Sequence, residues 1–210
     1  MNELKMNVLR KILSLSALLL IAIAVQAADD GNARRAADYI RRLSSVMESM
    51  GEYTVRFEVA AGGESIVGEY AVSGSRYHIS VAGNEVYGDD EVRREIDPSK
   101  REIVVDAADT SSRNMLTNPT RAFSFLSDDY DMHLNSESGG YAVVTLRPRS
   151  GGGGGTIVVT MSKIDAQPAS VRYDTDGESI TIVIRELKQG ARIPQFDASR
   201  YAGYETIDFR

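Results

Sequence analysis

The sequence predicts a mainly β protein of the α+β class, in which about 10–11 strands form one strongly curved antiparallel half-barrel sheet. After a single amphipathic helix, apolar residues alternate with polar ones along most of the chain. The turns between these runs are too short for crossover helices, so we expect neighbouring strands to form antiparallel hairpins. A sheet of that many strands does not stay flat, and it is expected to curl or close.

The first residues have the features of a secretory signal peptide. Three cations precede an apolar run over residues 12–25, and Val25-Gln26-Ala27 places small residues at the positions that signal peptidase reads. We therefore expect an exported protein, cleaved after about Ala27, with a single domain over residues 28–210. A retained anchor is the alternative, although the run is shorter than the roughly 20 residues that span a bilayer. The three cations are Lys5, Arg10 and Lys11.

Composition narrows the range of partners. Cysteine is absent, so no disulfide framework and no acylated N-terminal cysteine are available. The formal net charge is −6, and the leader holds three cations and one carboxylate, so the remaining 183 of the 210 residues carry −8. This charge disfavours nucleic acid and anionic membranes as nonspecific partners. A chain of that length can bury a sizeable core.

The helix is predicted over residues 32–50. Its apolar residues recur at spacings of three and four, which places them on one stripe opposite a charged face. Gly51 follows and is expected to end the helix, because glycine tolerates the left-handed conformation. The apolar stripe consists of Ala36, Ile40, Leu43, Met47 and Met50.

Alternation with a period of two predicts the strands. In the first of them, Tyr53, Val55 and Phe57 share one side, so we expect one buried and one wet face. Gly83-Asn84 and Asp176-Gly177 are turn signals. The further strands are expected at residues 66–72, 77–81, 92–96, 102–106, 131–136, 141–147, 156–163, 170–174 and 179–187.

Residues 112–129 break this alternation. Their apolar side chains follow no strand pattern, and Asn118-Pro119 divides them, with Pro119 suited to the first position of a short helix. We expect two short helices here, or one helix and a loop, as a cover for part of the sheet. Two small covers over a large concave apolar face predict a cavity or groove beneath them. The alternative is a small barrel filled by its own side chains.

No motif in the sequence indicates catalysis. His78 and His133 lie in alternating strand segments without metal-ligand spacing, so neither a metal nor another cofactor is expected. Acyl-transfer nucleophiles are disfavoured because cysteine and Gly-x-Ser-x-Gly are both absent. No pair of carboxylates is singled out for glycoside hydrolysis. We therefore expect a protein that is not an enzyme.

The order of elements, together with short sequence signatures over nearly the whole chain after the leader, resembles the LolA-like family of periplasmic outer-membrane lipoprotein carriers and its LolB relatives. The signatures are Tyr53-Thr54-Val55-Arg56-Phe57, Val67-Gly68-Glu69-Tyr70, Arg76-Tyr77-His78-Ile79, Gly83-Asn84-Glu85-Val86-Tyr87, Ile96-Asp97-Pro98, Asn118-Pro119, Phe125-Leu126, Val144-Thr145-Leu146-Arg147-Pro148 and Ile193-Pro194-Gln195-Phe196-Asp197.

The resemblance implies an incomplete barrel whose helical lid covers an apolar cavity for lipoprotein acyl chains or another lipid. It further implies a periplasmic monomer, with an inner-membrane export complex and an outer-membrane acceptor as partners. Arg76 is the candidate for a basic residue that latches the lid, although Ser73-Gly74-Ser75 replaces the family's usual Arg-Pro pair. The candidate cavity and lid residues are Met47, Tyr53, Val55, Phe57, Ile66, Tyr70, Tyr77, Ile79, Leu116, Phe123 and Leu126.

Two other functions stay open at this point. The protein could be an exported scaffold that binds another protein through an exposed strand edge or the mid-chain segment, or a binder of a different apolar ligand. The interior separates these hypotheses: a cavity of roughly several hundred Å³ favours ligand uptake, and a filled interior favours the scaffold.

Overall fold

The computed structural model describes residues 30–61, 64–111, 118–124, 129–149, 155–175 and 178–210. Helix α1 covers residues 30–50, and twelve strands follow it. The signal peptide prediction lies outside the described residues. The strands are β1 Glu52–Ala61, β2 Glu64–Ser73, β3 Arg76–Val81, β4 Asn84–Gly88, β5 Val92–Asp97, β6 Glu102–Ala107, β7 Tyr130–Ser138, β8 Tyr141–Pro148, β9 Thr156–Ser162, β10 Pro168–Thr175, β11 Glu178–Gln189 and β12 Glu205–Asp208.

All twelve strands belong to one open sheet with the order β12-β6-β5-β4-β3-β2-β1-β11-β10-β9-β8-β7. Neighbouring strands are antiparallel, except that β12 pairs with β6 in parallel. The predicted mainly β, antiparallel architecture is confirmed. Two strands, β4 and β12, go beyond the prediction, and β12 is the parallel exception to it.

The main core lies on one face of the sheet, and α1 packs against that face. Leu43 of α1 belongs to the same buried cluster as Val55 of β1 and Val144 of β8. The sheet is open and curved, and its inner face is the one against which α1 packs.

The predicted helix is confirmed in position and in orientation. Along its stripe, Ala36 and Leu43 are fully buried, and Ile40 and Met47 are nearly so. Gly51 follows with φ +62°, a left-handed conformation that costs glycine little. The period of the pattern and the terminating glycine thus place the apolar face of α1 on the sheet.

Two strand glycines make room for aromatic rings on the inner face. Gly68 of β2 is the register partner of Phe57 in β1, and a Cβ atom added to it would lie 2.6 Å from Phe57 Cζ. Gly88 of β4 stands in the same relation to Tyr77 of β3. The large rings therefore lie flat over the neighbouring strand instead of projecting into the interior.

The chain returns to the opposite, outer face after β11. Because β11 adjoins β1 and β12 adjoins β6, residues 190–204, which we name the strap, cross the outer side of β2–β5. Strap residues Phe196 and Tyr201 pack with Tyr87 of β4, which alternates with the inner-face residue Val86. A second, smaller core thus lies beneath the strap.

The short helical element predicted to begin at Pro119 is confirmed within residues 118–124. Pro119 begins a 3-10 turn, Pro119–Arg121, as its position after Asn118 predicts. A second 3-10 turn, Ala198–Tyr201, lies in the strap. Leu116, Leu126 and the first predicted mid-chain helix lie outside the described residues. Within the described ranges, no helix is long and apolar enough to cross a membrane.

Candidate ligand-binding site

Helix α1 is fastened at its N-terminal end to the edge strand β7. The Asn32 side chain donates to the carbonyl of Leu134 at 2.9 Å, and its Oδ1 accepts from the Leu134 backbone N–H at 2.8 Å. These bonds lie where the register of β7 with β8 shifts. Arg35 forms an ion pair with Glu137, which also accepts a hydrogen bond from Tyr39 Oη. The first two turns of α1 therefore cover one end of the inner face.

At the other end, α1 meets residues 118–124, which we name the lid segment. Ser44 Oγ donates to the carbonyl of Phe123 at 2.5 Å, and Tyr53 Oη of β1 donates to the carbonyl of Pro119 at 3.3 Å. Phe123 is buried between these contacts. Two side-chain hydrogen bonds thus join the lid segment to the helix and to the sheet.

The lid segment is also held by the chain that follows β6. Asn118 Nδ2 donates to the carbonyl of Asp109 at 3.0 Å, and Arg121 Nη1 donates to the carbonyl of Thr110 at 2.6 Å. Asn118 Oδ1 accepts from Thr120 Oγ1 at 2.6 Å, so the buried amide is satisfied at both ends.

A small cavity of about 100 Å³ lies where α1, β1, β2 and the lid segment meet. Its apolar walls include Met47, Tyr53, Val72 and Phe123. Pockets that hold drug-sized ligands measure about 300–1,000 Å³, so this cavity is too small for a long acyl chain. A ligand of that kind enters this site only if α1 or the lid segment moves.

The structure brings together three of the predicted site residues, Met47, Tyr53 and Phe123, at this cavity. Ile66 belongs to the inner-face set of β2 but is 39% exposed. The remaining predicted wall residues are buried on the inner face as part of the core that includes α1. They are Val55, Phe57, Tyr70, Tyr77 and Ile79.

The structure places Arg76, the predicted lid latch, at the start of β3. Arg76 alternates with Tyr77, an inner-face residue, and is exposed. It shares a groove with strap residues Ile193 and Phe196 instead of the cavity that Phe123 lines. The alternation of the strand therefore places its side chain on the outer face.

Two tyrosine hydroxyl groups lie near the centre of the inner face. Burial raises the pKa of both Tyr53 and Tyr70 above the ordinary value, so both phenols are neutral at physiological pH. Tyr70 Oη is buried and has no hydrogen-bond partner among the described residues. Sequence reasoning placed Tyr70 in the wall as an apolar residue and did not anticipate this unpaired polar group.

His78 lies on the outer face in a polar cluster beneath the strap. Its Nε2 is 3.6 Å from Glu85 Oε2, and Glu85 accepts a hydrogen bond of 2.9 Å from Tyr201 Oη. Arg200 Nη1 donates to Tyr87 Oη at 3.0 Å. Burial lowers the pKa of His78, although the neighbouring Glu85 opposes that effect. The cluster joins the strap to the sheet.

Metal ligands are not gathered in the part of the chain that the structure describes. There, no group of three or more His, Cys, Asp or Glu side chains is placed to hold a metal ion. His133 is exposed on the polar side of β7.

No family model matches the chain, and no curated protein matches it in sequence. Solved structures do match. An uncharacterized conserved protein from Thermus thermophilus has a TM-score of 0.54 at 10% identity, over 83% of this chain and 99% of that one. An outer membrane lipoprotein-sorting protein domain from Vibrio parahaemolyticus has a TM-score of 0.44 at 12% identity, over 81% and 97%. A LolA superfamily protein from Nitrosomonas europaea has a TM-score of 0.40 at 10% identity, over 76% and 94%.

These likenesses concern the fold alone. The match to the Thermus thermophilus protein shows that a solved structure shares the overall fold of this chain.

Proposed function

We propose that this protein is an exported, monomeric periplasmic carrier with one binding domain over residues 28–210. In this proposal it shelters lipoprotein acyl chains on the inner face of the sheet and transfers them toward the outer membrane. Its partners would be an inner-membrane export complex and an outer-membrane acceptor. The proposal rests on one observation above all: the apolar stripe of α1 lies on a concave apolar sheet and ends at a cavity closed by a hydrogen-bonded lid segment.

The energetics support displacement of the covers by a ligand. Each methylene withdrawn from water contributes about 0.8 kcal/mol, so a long acyl chain needs a dry site to leave a membrane. A bound chain would replace the contacts that α1 gives up, so the burial of the sheet is retained. Separating the lid segment breaks its bonds from Ser44 and Tyr53, which contribute about 0.5–1.5 kcal/mol each.

The unpaired hydroxyl of Tyr70 supports an acylated ligand in particular. It is a neutral donor without a hydrogen-bond partner among the described residues, on a face lined mainly by apolar side chains. The ester carbonyl at the head of an acyl chain is an acceptor that would satisfy this donor. An acyl ester thus fits the inner face better than a pure hydrocarbon does.

A second candidate function is a noncatalytic protein-interaction scaffold. It is favoured by the small volume of the cavity, about 100 Å³, because an interior filled by the protein's own side chains leaves binding to its surface. A binder of another apolar ligand fits the same geometry as the carrier.

The test is a titration of the mature protein with a fluorescent long-chain fatty acid. Saturable uptake is expected for the wild type and for Val67→Asp, a control at a side chain of β2 that is 63% exposed. Met47→Asp is expected to weaken uptake at least tenfold, because it places a charge in the cavity wall. Met47→Trp provides a variant that fills the same cavity without a charge, and circular dichroism checks the strands.

Saturable uptake that is lost in both Met47 variants supports the carrier. Absence of uptake by the wild-type protein contradicts the carrier and favours the scaffold. Equal uptake by the wild type and by both Met47 variants shows that the ligand binds elsewhere.

A further inference from the structure

A second concavity lies on the outer face, between the strap and strands β3–β5. Its volume is about 230 Å³, and its walls include Tyr87, Arg76 and Arg94 from the sheet and Ile193-Pro194-Gln195-Phe196 from the strap. We name it the strap groove. It is separate from the cavity beneath α1, with which it shares no lining residue.

Two guanidinium groups in the strap groove lack hydrogen-bond acceptors among the described residues. Arg94 lies over the ring of Phe196, with Cζ 5.2 Å from the ring centroid, and it is near enough to Asp208 to help lower the pKa of that carboxyl. Arg76 is exposed and forms no ion pair with any described residue. The acidic residue of the groove, Asp89, already accepts hydrogen bonds from two backbone N–H groups through Oδ1. The lining of the groove thus holds two guanidinium groups and one carboxylate, on a chain whose net charge is negative.

The backbone along the groove is also unpaired. Residues 191–196 adopt no helix or strand, and they form no backbone–backbone hydrogen bond with another described residue. Pro194 lacks an N–H group, but Ile193, Gln195 and Phe196 each present a donor and an acceptor. Such a segment can pair with an extended peptide by strand addition.

From this combination we infer that the strap groove binds an extended, acidic segment of a partner protein. Carboxylates of the segment would engage Arg76 and Arg94, since the planar guanidinium matches a carboxylate in bidentate geometry. Its backbone would pair with Ile193 and Gln195, and its apolar side chains would contact Tyr87 and Phe196. A peptide would contact both the arginines and the unpaired backbone of the groove, whereas a free anion would contact only the arginines.

The test measures fluorescence anisotropy of a fluorescein-labelled hexapeptide of alternating Glu and Thr, titrated with the mature protein. Binding is expected to weaken with salt. Arg76→Gln is expected to weaken it at least fivefold, and Arg76→Gln with Arg94→Gln at least twentyfold. The matched control is Arg56→Gln, an equal change of charge at an exposed position of β1. The Arg76 side chain is exposed and forms no ion pair with a described residue, so the single variant stays informative if the double variant loses stability.

A backbone readout separates peptide pairing from simple charge attraction. On binding, amide exchange at Ile193 and Gln195 is expected to slow at least tenfold. The inference is overturned if the acidic peptide does not bind, if a Lys-Thr hexapeptide binds equally well, or if Arg56→Gln matches the loss in Arg76→Gln. It is also overturned if inorganic phosphate or phosphatidylglycerol vesicles bind at the same arginines while the peptide does not, because the ligand is then an anion or a lipid surface.

Discussion

Leu43→Ala tests how α1 is held on the sheet. Leu43 is fully buried in the core. Removing three carbon groups at about 0.8 kcal/mol each costs roughly 2.4 kcal/mol. A residual void of about 50 Å³ adds roughly 1.2 kcal/mol at about 24 cal/mol per Å³. We therefore expect the free energy of unfolding to fall by about 3.5 kcal/mol.

Urea unfolding followed by circular dichroism measures this loss. Thermal unfolding is expected to shift down by about 7–14 °C, since about 1 kcal/mol corresponds to about 2–4 °C for a domain of this size. Glu48→Ala is the matched control, because Glu48 is exposed on the same helix. Its effect is expected to stay within about 0.5 kcal/mol.

The same variant makes a second, opposite prediction for binding. Shortening Leu43 enlarges the space beneath α1, so uptake of the fluorescent fatty acid by the folded protein is expected to be retained or strengthened while stability falls. A loss of stability below about 1 kcal/mol would refute the packing of α1 on the inner face. Uptake lost in proportion to stability would refute the role of α1 as a displaceable cover.

Two further predictions concern the sheet and the strap. Gly68→Ala is expected to cost about 1–3 kcal/mol through overpacking against Phe57, and adding Phe57→Leu should recover part of that loss in urea unfolding; an unchanged single variant would contradict the ring contact. Because burial lowers the pKa of His78 below its ordinary value of about 6.5, the unfolded chain binds more protons, and the free energy of unfolding is expected to fall as the pH drops from about 7 to about 5.5. His78→Leu should reduce this dependence of the free energy of unfolding on pH. An equal dependence in both proteins would show that other titratable groups cause it.

Helices and strands with one buried face were predictable, because burial of one face makes apolar residues recur at a regular spacing along the sequence. The stripe of α1 and the alternation of Tyr53, Val55 and Phe57 identified the inner face directly. Gly51 and Pro119 marked the ends of elements through backbone chemistry that acts locally. In each case the signal lay within a few residues along the chain.

The two strands that sequence reasoning missed lack such a pattern. In β4, Val86 faces the main core and Tyr87 faces the core beneath the strap, so both are buried and no alternation is visible. The short strand β12 depends on its parallel pairing with β6, about 100 residues earlier in the chain, and local sequence does not encode that pairing.

The site was predictable in its composition but not in its volume. Met47, Tyr53 and Phe123 do meet, as residues of a helix, a strand and a lid segment. The volume left on the inner face depends on how closely α1 approaches the sheet. Hydrogen bonds from Asn32 and Ser44 hold α1 in place, and their backbone partners are distant in sequence. The alternation of β3 puts Arg76 on the outer face, and the family resemblance alone did not predict that position.

The central claim is that ligand enters only when the lid segment separates from α1. Because the chain has no cysteine, Ser44→Cys with Ser124→Cys introduces two thiols at the cavity, which a reducible bismaleimide can join. The account predicts that the cross-linked protein loses fatty acid uptake and regains it when the linker is reduced, while each single-cysteine variant treated alike keeps it. Undiminished uptake by the cross-linked protein, with the same Kd as before cross-linking, would contradict the account.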